Sequence, residues 1–406
     1  MLSEAKDACE LMVDLAYAAV YFGDQQMAEE VDDLEDRLNE LIHDMRAVCV
    51  LAARAPKEAD AMASVLQVVS SIERIGNAAV DIAHIVVHRL GIPPELVADL
   101  SEADEVAHRV LLREGSHFAH RPVGDFELPV AVGMRIVAIH RGRDWITDVR
   151  GEEVLLPGDV LFLHGSPAGI PRLRQLAGAD SWSPPPVPSG PDQVSTTDLD
   201  RAIDVLVEMK NLSMTCVGLA WSALVLRDQG LAAEVNHLED RLDEMKERLE
   251  TWVLRSAATE AADPSPLRGL LHLAQAAEDL GDAAQQMVWL IERQEEVHPI
   301  LSIALGDADE LVVRMPVCED SRVAGATLAE LHLDIDPGFH VLAVRRGGRY
   351  AYRPRGTYRV RPNDELIATG PSEGEATLAE LCGWRLHEDE EGEDRLQALA
   401  AEHTSH

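Results

Sequence analysis

The sequence predicts an α+β multidomain protein in which two three-helix bundles alternate with two small α+β domains. Three observations lead there. The stretch Val31-Asp-Asp-Leu-Glu-Asp-Arg-Leu-Asn-Glu-Leu41 returns as Val235-Asn-His-Leu-Glu-Asp-Arg-Leu-Asp-Glu-Met245, an offset of 235 − 31 = 204 in a chain of 406 residues. In each copy the apolar positions step by three and four, Val31, Leu34, Leu38, Leu41, Met45 and then Val235, Leu238, Leu242, Met245, Leu249, which is one stripe of an amphipathic helix. Farther along each half the helical period gives way to alternation, and glycines recur at an offset of 205: Gly133 and Gly338, Gly142 and Gly347, Gly165 and Gly370. A duplication sets the domain plan before any single element is assigned.

Taken in order, residues 1–98 form the first bundle. An alanine-rich helix ends at Gly23-Asp24, the striped helix follows, and a third opens at Pro56 and stops at Gly91-Ile-Pro-Pro94. Residues 104–180 form the first α+β domain. Its strands are expected near Val106–Leu112, Met134–Ile139, Trp145–Val149 and Val160–Leu163, and a helix closes it. Residues 181–196, with five prolines in Ser181-Trp-Ser-Pro-Pro-Pro-Val-Pro-Ser-Gly-Pro191, are a polyproline-type linker. The bundle then recurs over 197–304 and the α+β domain over 309–386, and 387–406 is an acidic tail expected to be solvated and frayed.

The formal net charge is −36, and only four of the 36 basic residues are lysine. A carboxylate-rich, lysine-poor surface stays hydrated in concentrated salt, where the screening length falls to about 3 Å at 1 M. That composition suits the cytoplasm of a salt-accumulating microbe. Melting followed by circular dichroism should therefore show stability rising steeply from low to multi-molar KCl, and a flat profile would remove the reading. So acidic a charge argues against non-specific binding to nucleic acid, which needs a basic face to neutralise phosphates. Five scattered cysteines without a CxxC pair read as buried thiols in a reducing compartment. The most apolar run, Leu212 to Leu226, is too short to span a bilayer, so a membrane role must pass through a partner. Nucleophile, P-loop and HExxH constellations are absent, and no enzymatic activity is expected.

Polar side chains four apart line the bundle helices: Glu35 and Asn39, then Glu73, Asn77 and Asp81; in the second copy Glu239 and Asp243, then Glu278, Asp282 and Gln286. Such ladders are either a hydrated acidic face or hard oxygen ligands for a divalent metal ion. Glu73-Arg-Ile-Gly-Asn-Ala-Ala-Val-Asp-Ile-Ala83 resembles the core of PhoU-type bundles, a likeness covering about 90 residues per copy. The resemblance implies three helices per repeat and a metal motif of an acidic residue, three others, then Asp or Asn. Asn39, Asn77 and Gln286 stand where carboxylates would bind best, so any metal is expected on Glu239, Asp243, Glu278 and Asp282.

Gly133-Met-Arg-Ile-Val-Ala-Ile-His-Arg-Gly142 with Val154-Leu-Leu-Pro-Gly-Asp-Val-Leu-Phe-Leu-His-Gly165 resembles the C-terminal regulatory domain of TrkA and related potassium-channel proteins. So does Gly338-Phe-His-Val-Leu-Ala-Val-Arg-Arg-Gly347 with Val360-Arg-Pro-Asn-Asp-Glu-Leu-Ile-Ala-Thr-Gly370. The resemblance implies a dimerising, small-ligand-binding module attached to cation channels and antiporters. A GxGxxG fingerprint is missing, so no NAD site is expected. Seven arginines lie between Arg345 and Arg361. They either pair with carboxylates of a neighbouring bundle or of the twin domain, or receive an anion such as a cyclic dinucleotide on Arg141, Arg143, Arg345, Arg346 and Arg349. The two modules are expected to pair as a pseudo-dimer within one chain, possible further homo-oligomers aside. Together these readings describe a cytosolic, ligand-sensing regulator of a membrane potassium channel or cation transporter. The alternative is a metal-binding signalling adaptor of phosphate uptake.

Overall fold

Turn chemistry cuts the bundle helices at the same places in both copies. Gly23 ends α1 (Leu2–Phe22) in the left-handed conformation, and the Asp24 carboxylate then accepts from the N–H groups of Gln26 (3.1 Å) and Met27 (3.2 Å) to open α2 (Gln25–Ala52). After α3 (Pro56–Val87) a short helix, α4 (Pro94–Leu100), leads to β1 (Val106–Leu111). The first module continues through α5 (Leu128–Val132), β2 (Met134–Arg141), β3 (Asp144–Ile146), β4 (Val160–Gly165) and α6 (Ile170–Leu176). In the second half a capping box between Thr197 and Asp200 starts α7 (Asp198–Leu226), and Asp228 caps α8 (Gln229–Thr259) through Gly230 N–H at 2.8 Å. Then follow α9 (Ser265–Glu292), α10 (Pro299–Leu305), β5 (Glu310–Pro316), α11 (Leu328–Leu331), β6 (His340–Arg346), β7 (Arg349–Tyr352), β8 (Glu365–Pro371), α12 (Glu375–Leu381), β9 (Trp384–Glu388) and β10 (Asp394–Ala398). This computed structural model describes residues 1–53, 56–101, 103–180, 197–259, 265–293, 298–306, 308–388 and 394–398. The expected linker, 181–196, lies outside the described residues.

The chain divides into two compact units. The first, Met1–Asp125 with Arg135–Ala308, holds both bundles and most of the first module. Within it α3 packs against α9, α4 against α7, and α10 against α1 and α7. The buried stripe of α2 is Met27, Val31, Leu34, Leu38, Ile42, Met45 and Cys49. Leu41, which the sequence spacing placed in it, is only half-buried: steps of three or four from Leu38 both fit a 3.6-residue period, and packing chose Ile42. Among the described residues α7 alone is long and apolar enough to cross a membrane by length and composition. Of its most apolar stretch 72% is buried in the bundle, which marks it as a core helix.

Gly76 and Gly281, one repeat apart, sit inside α3 and α9, where glycine ordinarily weakens a helix. A Cβ at Gly76 would lie 2.6 Å from Leu38 Cδ2, and one at Gly281 would lie 2.6 Å from Leu242 Cδ1. Each glycine is thus the hole that receives the stripe leucine of the preceding helix. Gly76→Ala is expected to destabilise by about 1–3 kcal/mol through overpacking, in spite of its better helix propensity. The urea midpoint of the variant measures this, and a raised midpoint would show that the leucine can step aside.

Each module is a four-stranded antiparallel sheet, ordered β1-β4-β2-β3 in the first and β5-β8-β6-β7 in the second. Matching registers, Val106 opposite Gly165 and Leu311 opposite Gly370, show that the sheet itself is duplicated. The second unit holds Phe126–Met134 together with the chain from Asp309 onward. Segment 126–134 of the first module therefore packs on the second. Gly133 (φ 63°) lies so close to the carbonyl of Asp334 that a Cβ would collide with it, and Gly338 (φ 84°) is equally close to the carbonyl of Pro129. Since 129 + 205 = 334 and 133 + 205 = 338, the two contacts are reciprocal.

The acidic tail is corrected in part. β9 and β10 pair antiparallel, Leu386 opposite Leu396, and Trp384 Nε1 donates to the Pro316 carbonyl at 2.6 Å. Trp384, Leu386 and Leu396 pack on the core of the second module. These apolar positions flank the acidic run, and their packing on the core accompanies the pairing of 384–388 with 394–398.

Candidate functional site

Three groups of charged side chains could carry function. The first is built on the turn before the last strand of each module. Arg141, at the end of β2, makes a bidentate pair with Asp159 (Nε to Oδ1 2.9 Å, Nη2 to Oδ2 2.8 Å) and donates to Glu153 Oε1 at 2.8 Å. Asp159 is buried and also accepts from Leu156 N–H at 2.8 Å. One repeat on, Arg346 grips the fully buried Asp364 at 2.7 and 2.6 Å, and Asp364 accepts from Arg361 N–H at 2.8 Å. Arg345 donates to Glu365 at 2.9 Å and lies 5.9 Å from the Tyr350 ring. The Pro-Gly-Asp and Pro-Asn-Asp turns are therefore arginine clamps.

This revises the expected anion site. Arg141, Arg345 and Arg346 are committed to carboxylates of their own module, which is neither the neighbouring bundle nor the twin domain. Arg143 lies exposed in the turn after β2, and Arg349 lies exposed on the edge strand β7. A bidentate guanidinium held by a buried carboxylate keeps little capacity for a phosphate.

The second group is the acidic ladder. Glu239 on α8 is 7% exposed and accepts from Gln285 Nε2 at 2.5 Å. Burial first, then the charges of Asp243, Asp282 and Asp240 and a hydrogen bond shared with Asp282, push its carboxyl up to about 7. Asp282 accepts from Arg74 of the first bundle at 2.7 Å, and Arg74 also donates to Gln286 Oε1 at 3.0 Å. Glu278 accepts from Lys246 at 3.0 Å and from Gln275 at 2.7 Å. In the first copy Glu73 pairs with Arg46 at 2.5 Å. Among the described residues no three His, Cys, Asp or Glu side chains are placed to hold a metal ion. The set Glu239, Asp243, Glu278 and Asp282 thus does not fit the divalent ion that the bundle resemblance implied, because an arginine and a lysine already neutralise two of its members.

A carboxyl whose folded-state pKa is raised favours the fold most when it is protonated. Glu239 therefore contributes stability that is present below its ordinary value of 4.5 and is lost as pH rises through about 7. Glu239→Gln should flatten stability between pH 5 and 8 and raise it by roughly 1–3 kcal/mol at the alkaline end. Urea midpoints at the two pH values measure this, and equal slopes for variant and parent would remove Glu239 as the titrating group.

The third group went unread in the sequence. Asp14, in the middle of α1, is 2% exposed and pairs with Arg135 of β2 and with His164 Nδ1 of β4 at 3.2 Å. Lys210 on α7 is buried close by, donates to the Glu105 carbonyl at 2.9 Å and stands 5.4 Å over the Tyr17 ring. One repeat earlier, buried Lys6 pairs with Glu10 at 2.6 Å and stands 5.8 Å over Trp221. Since 6 + 204 = 210 and 17 + 204 = 221, each bundle sends a lysine to the aromatic ring of the other. The Asp14 network has no such twin: its counterparts are Gly218, His340 and Thr369. The available signal was a lone carboxylate and a lone lysine, each inside an otherwise apolar helix.

Bundle and module together define a class of protein with two domain families in alternation. A PhoU domain matches residues 2–86 and 206–290, and a TrkA-C domain matches residues 107–178 and 312–383. The chain carries both domains, each twice, as the two resemblances implied. Both are typically soluble, cytoplasmic domain types. Among solved structures the chain is similar to PhoU from Pseudomonas aeruginosa, at 14% identity over 71% of this chain and 91% of that one, with a TM-score of 0.37. It is also similar to the GsuK channel bound to NAD, at 15% identity over 80% of this chain and 65% of that one, TM-score 0.19. The GsuK RCK domain matches at 16% identity over 76% and 78%, TM-score 0.18. No curated protein matches the sequence.

Proposed function

We propose that the chain is a cytosolic, non-enzymatic regulator of a potassium channel or cation transporter, with the TrkA-C pair as its sensing part and the bundles as its docking part. The observation that carries this reading is the duplicated TrkA-C domain, joined in one chain by the reciprocal Gly133–Asp334 and Gly338–Pro129 contacts. The resemblance implies a dimerising module, and one chain here carries two copies of it. A small anionic ligand, a cyclic dinucleotide by class, remains the proposed input, with Arg143 and Arg349 as the arginines best exposed to meet it.

The test compares rubidium uptake with phosphate uptake in cells lacking the gene and in cells with it restored. Altered rubidium uptake with unchanged phosphate uptake is the expected result. The PhoU match, which spans more of the chain than the TrkA-C match, favours a second reading as an adaptor of phosphate uptake. The reverse outcome would establish that reading instead. Thermal shift of the full chain in concentrated KCl, with cyclic di-AMP and inorganic phosphate as separate probes, asks the same question of the ligand.

A further inference from the structure

Both cysteines of the second module lie at one seam. Cys318 follows β5, and Cys382 is the residue that ends α12. The Cys318 N–H donates to the Cys382 carbonyl at 2.9 Å. A backbone hydrogen bond of that length holds the two α-carbons within the roughly 4.4–6.8 Å that a disulfide spans. Cys318 Sγ is 3.5 Å from the Gly383 carbonyl, and a Cβ at Gly383 would come within 3.1 Å of that sulfur, so only glycine there leaves room for the thiol. Cys318 is half-buried, whereas Cys382 is fully buried in the core of the second module; both are free thiols. The remaining cysteines, Cys9, Cys49 and Cys216, lie on bundle helices. The first module has Arg113 and Ala177 at the matching positions, since 113 + 205 = 318 and 177 + 205 = 382.

We infer that Cys318 and Cys382 form an oxidisable dithiol that a peroxide closes to a disulfide, stapling the β5 exit to the end of α12. Cys318, as thiolate, attacks a peroxide oxygen; the O–O bond breaks, and the departing hydroxide takes up the thiol proton as water. This leaves a sulfenic acid on Cys318. The Cys382 sulfur then attacks the Cys318 sulfur, the S–S bond forms, the S–O bond breaks, and a second water leaves. Two thiols lose two electrons and one peroxide gains them. Burial raises both thiols, with the charge of Asp320 adding to it at Cys318, so closure is slow at neutral pH and accelerates as pH rises.

The experiment exposes the folded full chain to hydrogen peroxide at mildly alkaline pH, alkylates it under denaturing conditions, and maps the peptides by mass spectrometry. Expected is a peptide linking Cys318 to Cys382, lighter by two hydrogens, reopened by dithiothreitol, with the second unit melting at higher temperature while it is closed. Cys318→Ser, at a half-buried position, should melt like the reduced parent and keep Cys382 as an alkylatable thiol after peroxide. Sulfinic or sulfonic acid on Cys318 with Cys382 still a thiol would overturn the inference. So would a cross-link of Cys318 to any other cysteine.

Discussion

Asp14→Ala is expected to lower the stability of the first unit by about 3–5 kcal/mol, the range for removing one partner of a buried ion pair. Arg135 and His164 would lose the carboxylate they share, and Lys210 would stay buried with less negative charge around it. Urea unfolding followed by circular dichroism measures the loss. Its pH dependence has a definite sign. Burial alone would raise the Asp14 carboxyl, but His164, Arg135 and Lys210 outweigh burial and hold it below its ordinary 3.8. A depressed folded-state pKa gives stability that is present above 3.8 and is lost as pH falls through the folded value. Parent and variant should therefore differ fully at neutral pH and converge in acid. A variant as stable as the parent at neutral pH would show that the network contributes nothing.

Asp364→Ala is expected to cost a similar amount, about 3–5 kcal/mol, in the second unit. It would strand Arg346 and the Arg361 N–H around a fully buried position. This variant also discriminates between the two uses of the arginines. If Arg346 served a ligand, losing its carboxylate partner would release it and strengthen anion binding. If it is a clamp, the β6–β8 pairing loosens and the second unit melts early whether or not an anion is present. Thermal scanning with and without phosphate separates the two, and an anion-rescued melting temperature would reinstate the ligand reading.

Much of this was legible in the chain because duplication prints each signal twice. The bundle helices, the sheet strands and the turns at Gly142 and Gly347 all follow from periodicity and from residues that tolerate positive φ. Helix α4 was hidden by its own start signal, since Pro93-Pro94 reads as a stop when the helix that follows has only seven residues. The ladder was found, but its meaning was not. Nothing in the spacing of Glu278 and Asp282 reveals that Lys246 and Arg74 approach them from other helices. The same limit applied to Arg141 and Arg346, whose partners lie 18 residues farther along the chain. Asp14 shows the opposite case. A single carboxylate among Leu11, Met12, Val13, Leu15 and Ala16 is a local anomaly, and its cost could have announced buried cationic partners.

The reciprocal contact between segment 126–134 and the second module changes what kind of equilibrium the protein lives under. Two separate modules would meet as a bimolecular reaction and part on dilution. Joined in one polypeptide they meet at an effective concentration set by the connecting chain. Covalent fusion also frees the two faces from having to be identical, since each mutation now falls on one side only. The Asp14 network on one copy and the paired thiols on the other are what such release from symmetry permits.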